Sequence, residues 1–446
     1  MTKVEPGSPI VIVGAGCFGL STAYHLLKRG FTDVNVLDRA ETLPAKDAAS
    51  TDMNKIVRSS YPDDFYTSLA KDAVKSWKDE DEWGKHYHEA GVLIMGEGAA
   101  GYTKASYAND LALGVRVVNL EDEEKRKSVF DSGVELGTAF TNKCFAYLNQ
   151  DAGWVHAEGG TRRALENVRA LGGTVTSGKA VAELVRESGE TGRTTAVRCT
   201  DGSLYPAELV VLATGSWTPS TFPESVTQFQ CLATGHSVVT IQLTFDEAIL
   251  YRKSPVIYNQ TTGFYIFPPN AENIVKMAIH AGGHTRDVRT DQNCTISTPR
   301  TVSTHGVIEG CRIPVEAARE LRRAFREIYP ALASSKPFVT TRMCWYADTQ
   351  DEDWLIGPAP GDPSLFVATG GSGHAYKFLP VIGRLVADAV QGVLPENLAK
   401  KFAVDRKQQS DDKVNPESVL RIERRINTAR TLDEGSLSTD KDLLPT

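Results

Sequence analysis

The sequence predicts an α/β protein in which a Rossmann-like, nucleotide-binding domain is interleaved with a second domain built on a mixed, largely antiparallel sheet. Three observations support this fold class. The apolar run Ile10–Val13 leads into the glycine turn Gly14–Gly19 and then into a helix-like stretch. Two later strand-like runs, Glu208–Gly215 and Leu365–Gly370, also end in glycine. Between them, residues 229–284 carry alternating and β-branched runs that are typical of antiparallel strands.

The first elements form a βαβ unit. After the glycine turn, the pattern predicts a helix over Leu20–Arg29, a stop at Gly30 and a second strand at Val34–Leu37. A G-x-G-x-x-G motif between strand and helix is the dinucleotide-binding fingerprint, and the acid that follows the second strand can accept hydrogen bonds from a ribose. The residues expected at the nucleotide are Gly14, Ala15, Gly16, Cys17, Phe18, Gly19, Asp38 and Arg39.

The domains are predicted to be discontinuous, because nucleotide-type segments recur after long interruptions. Helical patterns cover Phe65–Trp83, Ala157–Leu171, Val315–Ile328 and Leu379–Val390. We expect the nucleotide-binding domain to comprise residues 9–85, 145–220 and 342–400, the substrate domain residues 86–144 and 221–341, and a polar C-terminal tail residues 405–446.

Composition excludes several classes of protein. The 446 residues are 41% hydrophobic and 24% charged, as in globular proteins rather than disordered ones. Lys and Arg total 49 against 56 Asp and Glu, so a net charge of −7 argues against a nucleic-acid partner. The seven cysteines include no C-x-x-C pair, which argues against a zinc site and favours a reducing compartment. No secretory signal or membrane-spanning stretch is evident, so a cytoplasmic location is expected.

The fingerprint alone does not distinguish NAD from FAD. A nicotinamide enzyme usually continues with further parallel βα repeats, whereas antiparallel strands follow here. The two later strand-to-glycine returns would bring the backbone close to a long ligand twice more, which favours FAD. The candidate cofactor residues in these two returns are Thr214, Gly215, Gly371 and Gly373.

Five motifs, in order, resemble the monomeric sarcosine oxidase and fructosyl amino acid oxidase (amadoriase) family of flavoenzymes. The resemblance covers roughly residues 9–395. The motifs are Val11–Leu20, Asn54–Arg58 followed by Ser59–Tyr61, Val275–His280, Met343–Tyr346 and Gly371–Lys377. In that family a cysteine at the position of Cys344 is joined to the flavin as a thioether, whereas an isolated cysteine is otherwise most often a buried small hydrophobe. The resemblance also implies cofactor contacts for Lys55, Val181, His374 and Lys377.

The resemblance implies catalytic roles for three residues. Lys276 lies in an apolar strand, where its ammonium either extends outward to solvent or serves the site; in the family it promotes reduction of O2. His280 lies on the same face by alternation, and this Lys-x-x-x-His spacing resembles sarcosine oxidases, whereas amadoriases usually place an acid there. Tyr265 is either an aromatic wall for a cationic amine or a core residue.

Arg58 and Lys377 are the cations that the resemblance assigns to a substrate carboxylate. A guanidinium can hold a carboxylate with two parallel hydrogen bonds, and an ammonium adds a point charge. Taken singly, each would rather be interpreted as a surface salt-bridge residue. As a pair beside flavin motifs they form a plausible carboxylate site.

The function expected from these residues is FAD-dependent oxidation of secondary amines derived from amino acids, with N-methyl, N-alkyl or cyclic substrates. Hydride transfer to the flavin would give an imine, and O2 would be reduced to hydrogen peroxide. Three alternatives stay open: a fructosyl amino acid oxidase, an NAD-dependent dehydrogenase that would consume no oxygen, and a catalytically silent flavin protein. The resemblance implies a monomer, and the final residues Leu444–Thr446 differ from a peroxisomal Ser-Lys-Leu-like signal.

Overall fold

The computed structural model describes residues 4–97, 101–187, 192–222, 231–289, 293, 295–406 and 428–445. Strands and helices alternate at the start of the chain, and strands dominate its middle. In chain order the strands are β1 (Ile10–Val13), β2 (Val34–Leu37), β3 (Lys55–Val57), β4 (Tyr87–His88), β5 (Val92–Glu97), β6 (Val117–Asn119), β7 (Cys144–Asn149), β8 (Gly153–Val155), β9 (Thr174–Thr176), β10 (Val181–Arg186), β11 (Thr194–Cys199), β12 (Leu204–Pro206), β13 (Leu209–Leu212), β14 (Cys231–Gln242), β15 (Val256–Asn259), β16 (Phe264–Ile266), β17 (Ile274–Ile279), β18 (His284–Thr285), β19 (Asp287–Arg289), β20 (Thr295–Ser297), β21 (Thr340–Thr349), β22 (Leu355–Ala359), β23 (Asp362–Thr369) and β24 (Arg430–Thr431).

Three predicted helices differ from those observed by more than one residue at an end. The helix predicted over Leu20–Arg29 spans Cys17–Lys28. The stretch Phe65–Trp83 forms two helices because the Asp79 carboxylate accepts the N–H of Glu82 and caps a new one. The helix predicted from Leu379 begins at Ile382. In chain order the helices are α1 (Cys17–Lys28), α2 (Asp64–Trp77), α3 (Glu80–Trp83), α4 (Gly101–Ala112), α5 (Glu123–Lys127), α6 (Ala157–Ala170), α7 (Thr218–Thr221), α8 (Phe245–Tyr251), α9 (Val302–His305), α10 (Val307–Cys311), α11 (Val315–Ile328), α12 (Pro330–Ser335), α13 (Ile382–Val390) and α14 (Glu396–Phe402).

The first sheet has the Rossmann-like architecture that the sequence predicts. Its strand order is β22-β23-β13-β1-β2-β9, and only the edge strand β22 runs antiparallel to its neighbour. All four residues of β1 are buried, as expected for a parallel strand covered on both faces. Because β1, β13 and β23 are adjacent and parallel, the three glycine segments that follow them meet at one edge of the sheet.

The second sheet is mixed and largely antiparallel, which confirms the predicted fold class. Its order is β24-β18-β14-β17-β16-β15-β5-β7-β6, with β21 also paired to β14. Along β17 the side chains alternate between two environments. Val275 and Met277 belong to a large apolar core, while Ala278 packs against a smaller cluster that contains Cys344 and Tyr346. One face of this sheet therefore packs in the apolar core, and the other face can contribute side chains to a functional site.

The predicted domain boundaries cut two strands of the second sheet. The boundary at residue 145 falls inside β7 and the one at residue 342 falls inside β21. Both strands are paired within that sheet, so their ladders of hydrogen bonds bind them to it rather than to the Rossmann-like domain. The division into domains itself stays a prediction.

Part of the predicted tail lies outside the described residues, namely 407–427 and 446. Residues 428–445 pack on the second sheet. Arg430 and Thr431 pair with β18, and Leu432 is buried in the main core of that sheet. Among the described residues, no helix combines the length and apolarity needed to cross a membrane.

Candidate active site

The glycine turn after β1 requires glycine at two positions and leaves open space at a third. Gly14 has φ +109°, and a Cβ there would lie 2.5 Å from the Ala213 carbonyl oxygen. A Cβ on Gly19 would lie 1.8 Å from the carbonyl oxygen of Gly14. A Cβ on Gly16 would meet only the Ser50 hydroxyl, at 3.5 Å. Gly16 is also the N-cap of α1, where no side chain caps the helix, so its N–H groups suit a pyrophosphate.

Asp38 and Arg39 lie at the end of β2, as predicted. The Asp38 carboxylate accepts the backbone N–H of Ala15 at 2.8 Å and that of Ala40 at 2.9 Å. Asp38 thus also holds the glycine turn in place, which its position after β2 does not by itself predict. The Arg39 guanidinium lies 4.2 Å from the centre of the Trp217 ring.

Two further candidate cofactor residues follow a strand of the Rossmann-like sheet, and a third lies on the separate three-stranded sheet β10-β11-β12. Thr214 and Gly215 follow β13, and the Thr214 hydroxyl is 2.9 Å from that of Thr218. Val181, at the start of β10, is buried in an apolar cluster with Leu37.

The segment after β23 packs onto the first glycine turn. A Cβ on Gly371 would lie 3.5 Å from the Phe18 ring, and the Cys17 thiol donates to the Ala375 carbonyl at 3.7 Å. Gly373 has φ +68°, which favours glycine. The segment thus brings the residues that precede Lys377 against the fingerprint.

These features fit FAD. Three glycine segments converge, and the fingerprint leaves space for a pyrophosphate at Gly16. Within the described part of the chain, the Thr51 hydroxyl and the Asn54 side-chain amide are buried without hydrogen-bond partners. Buried polar groups are normally paired. The Thr51 hydroxyl and the Asn54 amide are therefore available to form hydrogen bonds with a polar ring system.

Lys276, Asp52 and Lys55 form a buried ionic cluster. Asp52 Oδ2 lies 2.6 Å from Nζ of Lys276 and 2.6 Å from Nζ of Lys55. Lys276 also donates to the Asn54 carbonyl at 2.6 Å. The Lys276 side chain is 1% exposed, so the interpretation in which it extends to solvent is wrong.

Burial and the shared carboxylate act differently on the three pKa values. Burial raises the pKa of Asp52, but Lys276, Lys55 and Arg342 outweigh it and hold that pKa well below its usual range. Burial lowers the pKa of Lys276 to about 8, although Asp52 opposes this. For Lys55, burial also lowers the pKa, but Asp52 raises it above the ordinary value. Lys55 itself contributes to the lowered pKa of Lys276, because two ammonium groups share one carboxylate.

Cys344 lies beside this cluster, on β21. Its thiol is buried, with Sγ 3.6 Å from Nζ of Lys55. Cys344 shares an apolar cluster with Ala278 and Tyr346, against which Tyr265 packs. Burial raises the pKa of Tyr265, so its hydroxyl is a neutral phenol at neutral pH.

His280 lies just beyond β17 and contacts an aromatic group on the same side of the sheet. Its ring centre is 6.1 Å from that of Tyr346 and 6.4 Å from that of His236. His236 stacks on Tyr346 at 3.9 Å. The structure thus places Lys276 and His280 on one face, as the alternation predicts, and Tyr265, which pairs with Ala278, lies there too.

Arg58 and Lys377 meet at one tyrosine. The Arg58 guanidinium lies 5.1 Å from the centre of the Tyr61 ring, and Lys377 Nζ donates to the Tyr61 hydroxyl at 2.7 Å. Both cations are buried. Arg58 also lies 5.1 Å from the Tyr258 ring, whose centre is 6.4 Å from that of Tyr265. Tyr258 therefore connects the two cations to the face that carries Cys344.

Several residues of the site were not among the sequence candidates: Asp52, Tyr61, Tyr102, Tyr258, His236 and Tyr346. A lysine in an apolar strand requires a buried partner, which was a signal for an acid but not for which one. Tyr61 and Tyr346 fall inside the quoted motifs. No sequence signal marked Tyr102 or Tyr258.

A cavity of about 330 Å³ reaches this cluster from the protein surface. Lys276 and Asp52 line it at the buried end, and the exposed Thr340 lines it near the surface. Neither Arg58 nor Lys377 lines it. The cavity therefore borders the ionic cluster but not the two cations.

Substituting Gly16 by alanine tests the fit to FAD. The Cβ would face open space in the protein alone, so the variant should fold, but it would occupy the place of a pyrophosphate. We expect FAD binding to weaken about tenfold or more. The measurement is the ratio of flavin to protein absorbance, together with the melting temperature. Gly19→Ala is the contrasting variant and should fail to fold, while full FAD content in Gly16→Ala would contradict the assignment.

Comparison with known proteins agrees with this geometry. L-saccharopine oxidase of Schizosaccharomyces pombe is 31% identical over 403 residues, covering 87% of this chain and 90% of that protein. Peroxisomal sarcosine oxidase of Mus musculus is 24% identical, covering 89% of this chain and 95% of that protein. The crystal structure of fructosamine oxidase (Amadoriase II) from Aspergillus fumigatus matches with a TM-score of 0.81 and 27% identity, covering 98% of each chain.

The matches extend across both domains. Residues 9–389 correspond to the family described as FAD dependent oxidoreductase. That span includes the three glycine segments, the ionic cluster and the two cations around Tyr61. The resemblance predicted from the five motifs is confirmed, and the chain belongs to the FAD dependent oxidoreductase family.

Proposed function

We propose that this protein is an FAD-dependent oxidase of secondary amines derived from amino acids, using O2 as acceptor. The observation that carries the proposal is the buried Arg58. Its guanidinium is surrounded by the rings of Tyr61, Tyr102 and Tyr258. In the described residues no carboxylate lies within 4 Å of it. A buried charge without a counter-ion in direct contact is costly, so this position is suited to an anion supplied by the substrate.

Arg58 and Lys377 would hold the substrate carboxylate from two sides of Tyr61. Lys377 Nζ donates to the Tyr61 hydroxyl and to the His374 carbonyl at 2.8 Å, which fixes the direction of its ammonium. Tyr258 and Tyr265 would line the path from the carboxylate to the face with Cys344. Orienting the amine in this way is the contribution of the protein, because a correctly placed reactant needs no further ordering. FAD, when bound, supplies the two-electron chemistry at the C–H bond next to nitrogen.

Lys276 would serve the step in which O2 is consumed. A fixed positive charge in a buried site stabilises negative charge that develops on oxygen. Asp52 holds the ammonium in place, and the cavity beside Lys276 provides room for a small molecule. His280 would lie on the substrate side, since its ring contacts Tyr346 and Tyr258.

Cys344 is the proposed site of covalent attachment of the flavin. Its buried position beside Lys55, on the face that carries Lys276, supports this role. In the wild type, the flavin should remain with the Cys344 peptide after denaturation and proteolysis. In Cys344→Ser it should be released, with Cys231→Ser, another buried cysteine, as the matched control. Release of flavin from the denatured wild type would contradict the linkage.

A panel of amines with a peroxide readout tests the proposed function. The substrates are sarcosine, pipecolate, saccharopine, fructosyl-valine and fructosyl-lysine, each with O2 uptake measured in parallel. We expect turnover of secondary amines that carry a carboxylate next to the amine-bearing carbon. The likeness to L-saccharopine oxidase supports including large N-substituents. Oxidation that consumes no O2 would favour a dehydrogenase instead.

Fructosyl amino acid oxidation is the second candidate. The likeness to the fructosamine oxidase structure over 98% of both chains favours it. His280 argues against it, because the resemblance places an acid at that position in most amadoriases. Activity confined to the two fructosyl substrates would reverse this order. A monomeric state and a cytoplasmic location belong to the same proposal, and mass measurement in solution and imaging of the tagged chain test them.

A further inference from the structure

A buried carboxylate lies behind the Arg58 segment, outside the groups assigned above. Asp110, on α4, is fully buried. It accepts hydrogen bonds from side chains on two distant parts of the chain, the segment after Arg58 and strand β7. The donors are Ser59 Oγ at 2.6 Å, Ser60 Oγ at 2.7 Å, Asn149 Nδ2 at 3.1 Å and the Tyr147 hydroxyl at 3.3 Å.

Asp110 and Arg58 are connected through Ser60. The Ser60 hydroxyl donates to Asp110, while the Ser60 carbonyl accepts a hydrogen bond from Nη1 of Arg58. Tyr102, also on α4, donates to that carbonyl at 3.4 Å and accepts from Nη2 of Arg58 at 3.3 Å. Helix α4 therefore holds residues 58–60 at two points, through Asp110 and through Tyr102.

Burial raises the pKa of Asp110, while the hydrogen bonds from Ser59, Ser60 and Tyr147 oppose this and favour the ionised form. Serine and tyrosine hydroxyls and the asparagine amide all donate here, and Asn149 Oδ1 is already used by the N–H of Ala152 at 3.1 Å. A carboxylate can accept all these bonds, whereas a neutral side chain would leave hydroxyl groups without an acceptor in a buried place. The negative charge lies close enough to favour the Arg58 guanidinium without contacting it, so the guanidinium remains available to another carboxylate.

We infer that Asp110 is a positioning residue for substrate binding: by holding the hydroxyls of Ser59 and Ser60, it fixes the backbone that presents Arg58 to the carboxylate of the amine. The inference rests on the proposed role of Arg58. Helix α4 belongs to the second domain and carries no sequence motif of its own. Through Asp110, this helix would control the affinity of the site for the amine.

The test compares Asp110→Asn with Asp362→Asn. Asp362 is a matched control, since it is also buried and accepts from hydroxyls, those of Thr194 and Ser364 at 2.6 Å, but it lies in the Rossmann-like domain away from Arg58. We expect both variants to melt at a lower temperature. Only Asp110→Asn should raise the KM for the amine, by about tenfold, with kcat changed much less. Binding of methoxyacetate, the ether analogue of sarcosine, followed by flavin absorbance, should weaken by the same factor.

The outcomes separate this inference from the proposed function. If Arg58→Met raises KM but Asp110→Asn does not, the role of Asp110 is wrong and the carboxylate site stands. If Arg58→Met also leaves KM unchanged, the proposed carboxylate site itself is wrong. Should Asp110→Asn fail to fold, Ser60→Ala removes one of the same hydrogen bonds, and an unchanged KM in that variant would overturn the inference.

Discussion

Replacing Lys276 by methionine is expected to slow the reaction of the reduced enzyme with O2 about 100- to 1000-fold, while reduction by the amine changes little. Methionine keeps the length of the side chain but removes the charge beside the cavity. Asp52 stays paired with Lys55, so the fold should persist. Stopped-flow absorbance, with anaerobic reduction and reoxidation recorded separately, distinguishes the two half-reactions.

Lys336→Met is the matched control for this variant. Lys336 also pairs with a carboxylate, since its Nζ lies 2.6 Å from Glu247, and its side chain is 16% exposed. In Lys336→Met, the rate of reduction by the amine and the rate of reaction with O2 should both be unchanged. Wild-type reoxidation in Lys276→Met would remove Lys276 from the oxygen step.

The charge of Lys276 predicts that the reaction with O2 depends on pH. Burial lowers the pKa of Lys276 to about 8, so the ammonium is present at neutral pH and is lost as the pH rises through that value. The rate constant for reaction with O2 should therefore fall above pH about 8 in the wild type and should not respond there in Lys276→Met. A wild-type profile that rises across this range would contradict the assignment.

Replacing Arg58 by methionine is expected to lower kcat/KM for a carboxylate-bearing amine about 100- to 1000-fold. The loss should disappear when the same amine is offered as its methyl ester, because the ester has no charge for Arg58 to bind. Arg58→Lys should recover only part of the activity, since an ammonium lacks the planar fork and stacks less well on tyrosine rings. Initial rates with both forms of the substrate provide the comparison.

Arg126→Met controls for the removal of a buried arginine. Arg126 is equally buried and donates to backbone carbonyls such as that of Phe140 at 2.9 Å, far from Arg58 along the chain and on α5. The Arg126→Met variant should lose stability but keep the wild-type KM for the amine. Equal losses of kcat/KM for the acid and the ester in Arg58→Met would assign Arg58 a structural role instead.

Sequence patterns were most informative where short-range geometry decides the structure. The strand predicted at Ile10–Val13 and the helix predicted at Val315–Ile328 have the observed bounds. In both, glycine or proline follows the apolar pattern and marks its end. The helix is stabilised by its own hydrogen bonds, and the strand by neighbouring strands with a similar apolar pattern. The alternation that places Lys276 and His280 on one face is of the same kind.

Partners separated by hundreds of residues could not be predicted in this way. Nothing in the local pattern distinguishes Asp52 from other acids as the partner of Lys276, 224 positions away. The boundaries predicted at 145 and 342 fall inside β7 and β21, because no local pattern shows with which sheet these strands pair. Strands are assigned to a sheet by their pairing, which is a property of two distant segments.

The sequence alone predicts a Rossmann-like domain with a dinucleotide fingerprint and a second antiparallel sheet. It also indicates candidate cations at Arg58, Lys276 and Lys377. These are consequences of residue type and spacing along the chain. Only the tertiary structure decided that Lys276 is buried against Asp52 and that Arg58 and Lys377 share Tyr61. The physical reason is that burial and charge compensation depend on which distant groups the folded chain brings into contact.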